Sequence, residues 1–377
     1  MFDALISGSG VNGAVLALLL DQSGFRVRIV DHQPIQLNDS PRTITLNLHS
    51  LKLLEKIGIK IPSTPIFQIK VCDAVGSGKI TFDAATIGES ELARTVYFSD
   101  LLESLEEKTK TFLSNSVSVR AQTNPECISL ELNDGTCIDA SLLIASDTKL
   151  KPFQQLFDLS IPKNYLQQAA TFIANADNLD FSTAIQLFYH KDIFALMPIH
   201  DRANTQDNNF STVWSLDASE SNLKDYAQEH LPKIENILGT KLSINSNIES
   251  FPLRNFIAEK YFVDRACLIG DAAHIIHPMA GQGLNLGLAD CNTLHSEIAK
   301  AREEGIDIGS TRVLKRYEIK RKIFNDSMVN GVDRIHALFQ SDNIYLRMLR
   351  NNGLNLINNV DPLKKFFIKN AEGIFGI

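Results

Sequence analysis

The chain has 377 residues, which allows two or three domains. Its 44% apolar and 21% charged composition is that of a globular protein, and a net charge of −7 argues against nucleic acid as the main partner. Five cysteines, an odd number with no Cys-x-x-Cys pair, fit a reducing compartment and exclude a zinc ribbon.

Phe2 to Ser7 reads as a short apolar strand, followed at once by Gly8-Ser9-Gly10-Val11-Asn12-Gly13. Ala14 to Gln22 reads as a helix stopped by Gly24, and Arg26 to Val30 as a second strand closed by Asp31. Strand, glycine turn, helix, strand and terminal acid in this order form the dinucleotide-binding βαβ fingerprint. Gly8 makes the tight turn, Gly10 admits a pyrophosphate, Gly13 lets helix and strand pack closely, and Asp31 accepts the ribose hydroxyls of an adenosine. The apolar run Ala14 to Leu20 is too short to span a bilayer, and Met-Phe-Asp is no basic leader, so the expected location is the cytoplasm. Arg42 follows the βαβ unit, and its guanidinium could reach a phosphate; the plain alternative is a surface arginine.

Ser50 to Ile57 and Ser99 to Lys108 read as helices, the second with Asp100 as a start signal. Phe67–Asp73 with Lys79–Asp83, and Cys127–Leu132 with Cys137–Ile138, read as hairpins. Leu142–Ala145 is a further apolar strand, ending at Ser146-Asp147-Thr148. From Lys151 the pattern becomes strand-rich, with Ala169–Ala174, Thr183–Tyr189, Ile193–Ile199 and Ser211–Leu216 suggesting a largely antiparallel sheet. The polar Asp201–Asn209 loop interrupts it, Asn222–Leu238 is helical, and Ile248–Leu253 returns as a strand.

Ala266 to Ile269 is short and apolar enough for a buried strand, and Gly270-Asp271 places a carboxylate at its tip, where open α/β sheets bind ligands. Pro278, Gly281, Gly283 and Gly287 then lead into a helix beginning near Leu284. The free N–H groups at such a helix entrance favour a negative ligand atom. His274 and His277 read as loop-shaping residues: Pro278 follows at once and no Glu-x-x-His pattern surrounds them, so no metal site is expected. Asn292–Glu304 and Thr311 to about Ala337 read as long helices, with shorter ones at Asn343–Arg350 and Asp361–Ala371. Lysines and aromatics mix in Leu363–Lys369, which suits either a terminal helix on the nucleotide domain or a contact on a membrane surface.

Five stretches carry a family resemblance: Gly270-Asp271-Ala272-Ala273-His274 through His277-Pro278 to Gly281-Gln282-Gly283-Leu284-Asn285-Leu286-Gly287, which is the most specific, then Arg42 to Asn47, Tyr165 to Ala169, Ala195 to Ile199, and the helical tail with Gly353-Leu354. Over nearly its whole length the chain resembles the class A FAD-dependent aromatic hydroxylases, within them the UbiH-type ubiquinone-biosynthesis hydroxylases. The resemblance implies an α/β, Rossmann-like (PHBH-like) FAD-binding domain with an inserted antiparallel-β substrate domain and C-terminal helices. The expected division is 1–66, 84–168 and 255–340 for FAD, 67–83 and 169–254 for substrate, and 341–377 for a helical tail.

Carried over to this sequence, Gly8, Gly10, Val11, Asn12 and Gly13 would hold the FAD pyrophosphate and Asp31 the adenosine ribose. Arg42 would lie along the FAD and Asp271 would bond its ribityl chain. Pro278, Gly281, Gln282, Gly283, Leu284 and Asn285 would border the flavin ring, with no side chain assigned as acid or base. The implied reaction begins with reduction of FAD by NAD(P)H. Oxygen then adds at flavin C4a, and the hydroperoxide hydroxylates the ring of a polyprenylated phenol. Phe188, Phe194, Met197 and Trp214 are candidates for the apolar walls such chemistry needs, although for each taken singly plain core packing is the favoured reading.

Two positions depart from the family pattern: Asp147-Thr148 stands where Asp-Gly is usual, and Ser99-Asp100 where Asn-Arg is common. They motivate a second reading, a non-catalytic or weakly catalytic FAD-fold subunit of a ubiquinone-biosynthesis complex. Other proteins of that pathway, and a peripheral contact with the inner membrane, belong to the same expectation.

Overall fold

The computed structural model describes residues 1–31, 40–146, 151–159, 163–200, 208–217, 223–277, 281–340, 351–354 and 356–358. The first part comprises β1 (Phe2–Ser7), α1 (Val11–Gln22), β2 (Val27–Asp31), β3 (Thr43–Asn47), α2 (Leu48–Lys56), β4 (Thr64–Ile66), β5 (Gln68–Asp73) and β6 (Lys79–Asp83). Then come α3 (Ala84–Ile87), β7 (Ala93–Tyr97), α4 (Phe98–Thr109), β8 (Leu113–Asn115), β9 (Ser118–Thr123), β10 (Ile128–Leu132), β11 (Cys137–Ala145) and α5 (Lys151–Phe157). The middle holds β12 (Lys163–Asn175), β13 (Thr183–Tyr189), β14 (Asp192–Pro198), β15 (Asn209–Asp217), α6 (Leu223–Leu238), β16 (Ser243–Ile244) and β17 (Glu249–Ile257). The chain closes with β18 (Phe262–Val263), β19 (Ala266–Leu268), β20 (His274–Ile275), α7 (Gly283–Glu303) and α8 (Thr311–Gln340).

The first sheet runs β18-β19-β11-β1-β2-β8, with β10 and β9 added antiparallel beyond β11. Its strands β19, β11, β1, β2 and β8 are parallel. Parallel strands are covered on both faces, which is why β1 and the end of β11 are continuous apolar runs rather than alternating ones. The crossover helix α1 is buried from Val11 to Leu20 and apolar all round, as a helix enclosed by the sheet, α4 and α7 must be. By contrast α4 is amphipathic: it buries Leu101, Leu102 and Leu105, and Asp100 sits in its first turn, where the helix dipole favours a carboxylate.

The second sheet, of nine strands, runs β20-β17-β12-β15-β14-β13-β5-β6, with β16 paired to β12. It is antiparallel except where β13 meets β5. Two antiparallel bonds from Ile275 and His274 to Phe256 and Ile257 tie this sheet to the loop after β19. At the other edge, Asn351 Oδ1 accepts from Gly78 N–H at 2.8 Å and Asn358 Oδ1 from Thr81 N–H at 3.1 Å, so the descending chain occupies backbone donors of the β5–β6 hairpin.

Several elements differ from the reading of the sequence. The stretches Cys137–Ile138 and Leu142–Ala145 are one strand of nine residues, whose start pairs with β10 and whose end lies between β1 and β19. The strand expected over Ala169–Ala174 extends over Lys163–Asn175 because β17 and β15 pair with it on either side. A small sheet, β3-β7-β4, had no distinct signal, its strands being short and threonine-bearing rather than apolar. The expected helices Asn343–Arg350 and Asp361–Ala371, the segment Leu363–Lys369, residues 201–207 of the polar loop, Asp147-Thr148 and Pro278 lie outside the described residues. Among the described residues no helix is long and apolar enough to cross a membrane.

Candidate functional site: a nucleotide edge facing a second sheet

The order of the first sheet reverses at β1: α1 carries the chain to β2 on one side, while β11 and β19 lie on the other. Such a reversal opens a crevice beyond the C-terminal strand ends, where doubly wound sheets take ligands. Four predicted features stand there: the Gly8–Gly13 turn after β1, Asp31 at the end of β2, Ser146 after β11, and Gly270-Asp271 after β19.

The glycine turn is built as its spacing demands. Gly8 has φ +105°, a conformation that a side chain resists. A Cβ on Gly13 would collide with the Gly8 carbonyl and lie 2.9 Å from Ser146 Oγ, whereas one on Gly10 would meet nothing within 4 Å. Gly13 therefore serves packing, and Gly10 leaves open space at the start of α1. Ser146 Oγ donates to the Ser7 and Gly8 carbonyls at 3.0 and 3.1 Å, closing β11 onto the same turn. Asp31 Oδ2 accepts from Ser9 N–H at 2.6 Å and Ser9 Oγ at 2.7 Å, so the acid that ends β2 also orients the turn. A cavity of about 220 Å³ opens beside Ser9, between Thr109 and Asn115. A larger one, about 290 Å³, lies at the opposite end of the strands among Asp3, Arg302 and Asp307, away from these motifs.

The two motifs meet through Asn12. Its buried side chain lies where a Cβ on Gly270 would come within 2.8 Å of Asn12 Cγ and one on Gly287 within 2.5 Å of Asn12 Nδ2. Glycines 270 and 287 are thus needed because a side chain from the first motif fills the space beside them.

Beyond this contact, Gly281 (φ +59°) and Gln282 lead into α7, which no side chain of the described residues caps. Its first N–H groups, on Gly283, Leu284 and Asn285, have no partner within the helix and point towards the loop. The Asn285 side chain is fully engaged: Oδ1 accepts from Asn47 N–H at 3.0 Å and Ser50 Oγ at 2.7 Å, and Nδ2 donates to the Thr45 and Gly281 carbonyls. It fastens α7 to β3 and α2, leaving only its backbone N–H for a ligand.

Asp271 is exposed in a single 3₁₀ turn, and Arg42 faces the same groove, its guanidinium 4.4 Å from the Phe98 ring and 5.6 Å from the Phe251 ring. Desolvation lowers the Arg42 pKa, opposed by the charges of Asp271 and Glu249. A side chain that solvent reaches yet protein crowds is what the wall of an open groove produces.

The second sheet faces this groove with one side only. Phe188 and Ile193 pack against Ile276 of the loop and Leu286 of α7, and Phe188 stacks on Phe339 at 3.6 Å. Strand alternation sends Phe194 and Trp214 to the other face, into the cluster with Leu231 and Ile234 of α6. Of the four wall candidates, Phe194 and Trp214 are core on the far side, the reading favoured for each taken singly, Phe188 is covered by α8, and Met197 packs beside Ile66, Ala93 and Ala184. Trp214 Nε1 and Tyr226 Oη both donate to the buried Asp192 carboxylate, at 3.1 and 2.6 Å. Trp214→Phe is expected to destabilise the fold by about 2 kcal/mol while FAD affinity stays unchanged. Urea unfolding and an FAD titration check both halves.

Sequence reasoning missed the residues behind the loop. Asp290, Arg321 and Asn325 join His274 in a buried polar cluster, and the His277 ring packs tilted against His336 with centroids 4.6 Å apart. In α7 and α8 the only signal was a polar side chain on a buried face among many exposed charged ones.

The comparisons agree with this geometry. The profile of the FAD binding domain matches residues 1–64 and 97–332, and the chain belongs to that family. It is an FAD-dependent monooxygenase of the aromatic-hydroxylase class. It is similar to the mitochondrial ubiquinone biosynthesis monooxygenase COQ6 of Dictyostelium discoideum, 29% identical over 99% of this chain and 91% of that one. It is also similar to the 3-demethoxyubiquinol 3-hydroxylase of Escherichia coli K12, 28% identical over 98% of each. In fold it matches Klebsiella pneumoniae HpxO, solved with FAD, at TM-score 0.79 and 16% identity over the whole of both chains.

Proposed function

We propose that this chain hydroxylates the aromatic ring of a polyprenylated phenol in ubiquinone biosynthesis, with NAD(P)H as reductant and O2 as co-substrate. The observation that carries the reading is the juxtaposition at one sheet edge: an open turn at Gly10, Asp31 beside it, and the Asp271 and Gly281–Asn285 segments joined to it through Asn12. The residues fit FAD, because the turn at Gly10 admits a ligand that a Cβ would obstruct and the α7 entrance presents donors without side-chain caps.

When bound, FAD supplies the electron transfer and oxygen activation that protein side chains do not. In this reading Gly8, Gly10, Val11, Asn12 and Gly13 cradle the pyrophosphate, Asp31 takes the ribose, and Arg42 and Asp271 flank the chain between nucleotide and ring. Pro278, Gly281, Gln282, Gly283, Leu284 and Asn285 border the ring, and the α7 backbone N–H groups stabilise negative charge beside it. The cluster of Phe188, Ile193, Ile276, Leu286 and Phe339 excludes water from one flank, which protects a reactive oxygen species from wasteful decay. The division into FAD-binding, substrate and tail segments given above, and a cytoplasmic location peripheral to the inner membrane, are part of the same proposal.

The test is reconstitution. Purified protein is expected to take up FAD and turn yellow. With a polyprenylated phenol it should consume NAD(P)H and O2 and yield a product with one added oxygen. FAD uptake without coupled hydroxylation would favour the non-catalytic subunit reading. No FAD uptake would reject both readings.

A further inference from the structure

Asp290 lies in the second turn of α7, fully buried. Both of its oxygens are doubly engaged. Oδ2 accepts from the Gly270 N–H at 3.1 Å and from His274 Nε2 at 2.7 Å. Oδ1 accepts from Arg321 Nε at 2.7 Å and Asn325 Nδ2 at 3.0 Å. Arg321 also donates to the Leu286 carbonyl at 3.3 Å and to Asn325 Oδ1 at 2.8 Å, so α8 grips α7 one turn from its entrance. Three segments therefore converge on one carboxylate of α7: the strand tip that carries Asp271, the start of the loop that leads to Gly281, and α8.

We propose that Asp290 is a positioning residue for the cofactor: it holds the Gly270-Asp271 tip and the Gly283–Asn285 helix entrance in fixed relation, with Arg321 and Asn325 as its anchor in α8. This rests on reading the edge as the FAD site. A carboxylate suits the role because it offers four acceptor positions and no donor, matching the four donors that face it. Burial of a charge at this depth is tolerated because Arg321 pairs with it. Gly270 has φ +56°, a backbone that relaxes readily once its N–H is released. Asp271 is the next residue, so loss of the Gly270 bond displaces it directly.

Apoprotein titrated with FAD, visible circular dichroism of the bound flavin and urea unfolding together test this. Wild type comes first: if it takes no FAD, the reading of the edge fails, independently of Asp290. With wild type binding, His274→Leu removes one of four donors and is expected to raise the FAD Kd about tenfold and alter the flavin dichroism, the loss of one charge-assisted bond. His274→Gln keeps an N–H donor and should return both towards wild type. Asp290→Asn should weaken binding further and lower the urea midpoint. Adding Arg321→Gln removes the stranded cation and should restore the midpoint with affinity still low. Wild-type affinity and dichroism in His274→Leu would overturn the proposal. So would a double variant whose affinity recovers together with its midpoint, because Asp290 would then serve stability alone. Should Asp290→Asn fail to fold, the His274 pair decides the matter.

Discussion

Gly13→Ala is expected to cost about 3 kcal/mol of stability and to abolish FAD retention. The added Cβ collides with the Gly8 carbonyl, a backbone atom at a turn of φ +105°, and crowds Ser146 Oγ. Neither neighbour can swing aside. The carbonyl belongs to the pyrophosphate turn, and Ser146 Oγ is bonded to the Ser7 and Gly8 carbonyls. Relief must come from moving α1 off the sheet, which opens the packing of Ala14, Val15 and Leu18 in the core. Gly10→Ala is the control. Its Cβ enters open space, so the urea midpoint should stay within about 0.5 kcal/mol of wild type while FAD binding falls, since the methyl occupies room the ligand needs. A Gly13→Ala protein that unfolds at the wild-type midpoint would refute the packing argument.

The second large effect is a loss of stability in mild acid. The His277 ring is fully buried and packs tilted against His336. Burial, with a smaller push from the neighbouring His336, lowers its pKa to about 3. In the unfolded chain a histidine titrates near 6.5. Between these values the unfolded chain binds a proton that the folded chain refuses, so stability is whole above about pH 6.5 and drains away as pH falls towards 3. One proton is worth about 1.4 kcal/mol per pH unit, which makes the loss between pH 6.5 and 5 about 2 kcal/mol from His277 alone. His336 and His295, both lowered chiefly by burial, add to it in the same direction. Asp290 is separable. Burial would raise its pKa, but His274 and Arg321 outweigh burial and hold it at about 2, so its contribution is lost only below the ordinary carboxylate range. Urea unfolding from pH 5 to 7 should therefore show His277→Phe with a flatter slope than wild type by close to one proton. Parallel slopes would sink the assignment.

Both effects sit at the junction between what was legible early and what was not. The Gly8–Gly13 turn, Asp31 and the Gly270–Gly287 stretch were readable because their physics is local. A tight turn, a helix entrance and a strand tip each impose a residue type within a few positions. The same locality explains the strand and helix sequence of the first sheet, whose parallel strands carry apolar cores such as Ala4–Ile6 and Leu142–Ala145. It explains as well why the sequence left the walls open between substrate contact and core packing. Apolar residues in β13, β14 and β15 announce a strand, but which of its two faces meets the groove follows from packing against α6 on one side and α7 and α8 on the other.

The amino-acid order alone thus determined a nucleotide-binding α/β chain with a β-rich partner sheet, and named the segments that border its groove. Only the tertiary structure decided that Asn12 fills the gap between Gly270 and Gly287, that the Asn285 side chain is consumed in joining α7 to β3, and that Asp290 gathers donors from residues 270, 274, 321 and 325. The physical reason is range. Turn chemistry and periodicity act over a few residues, whereas a buried polar group is satisfied by whatever the fold brings to it from distant parts of the chain.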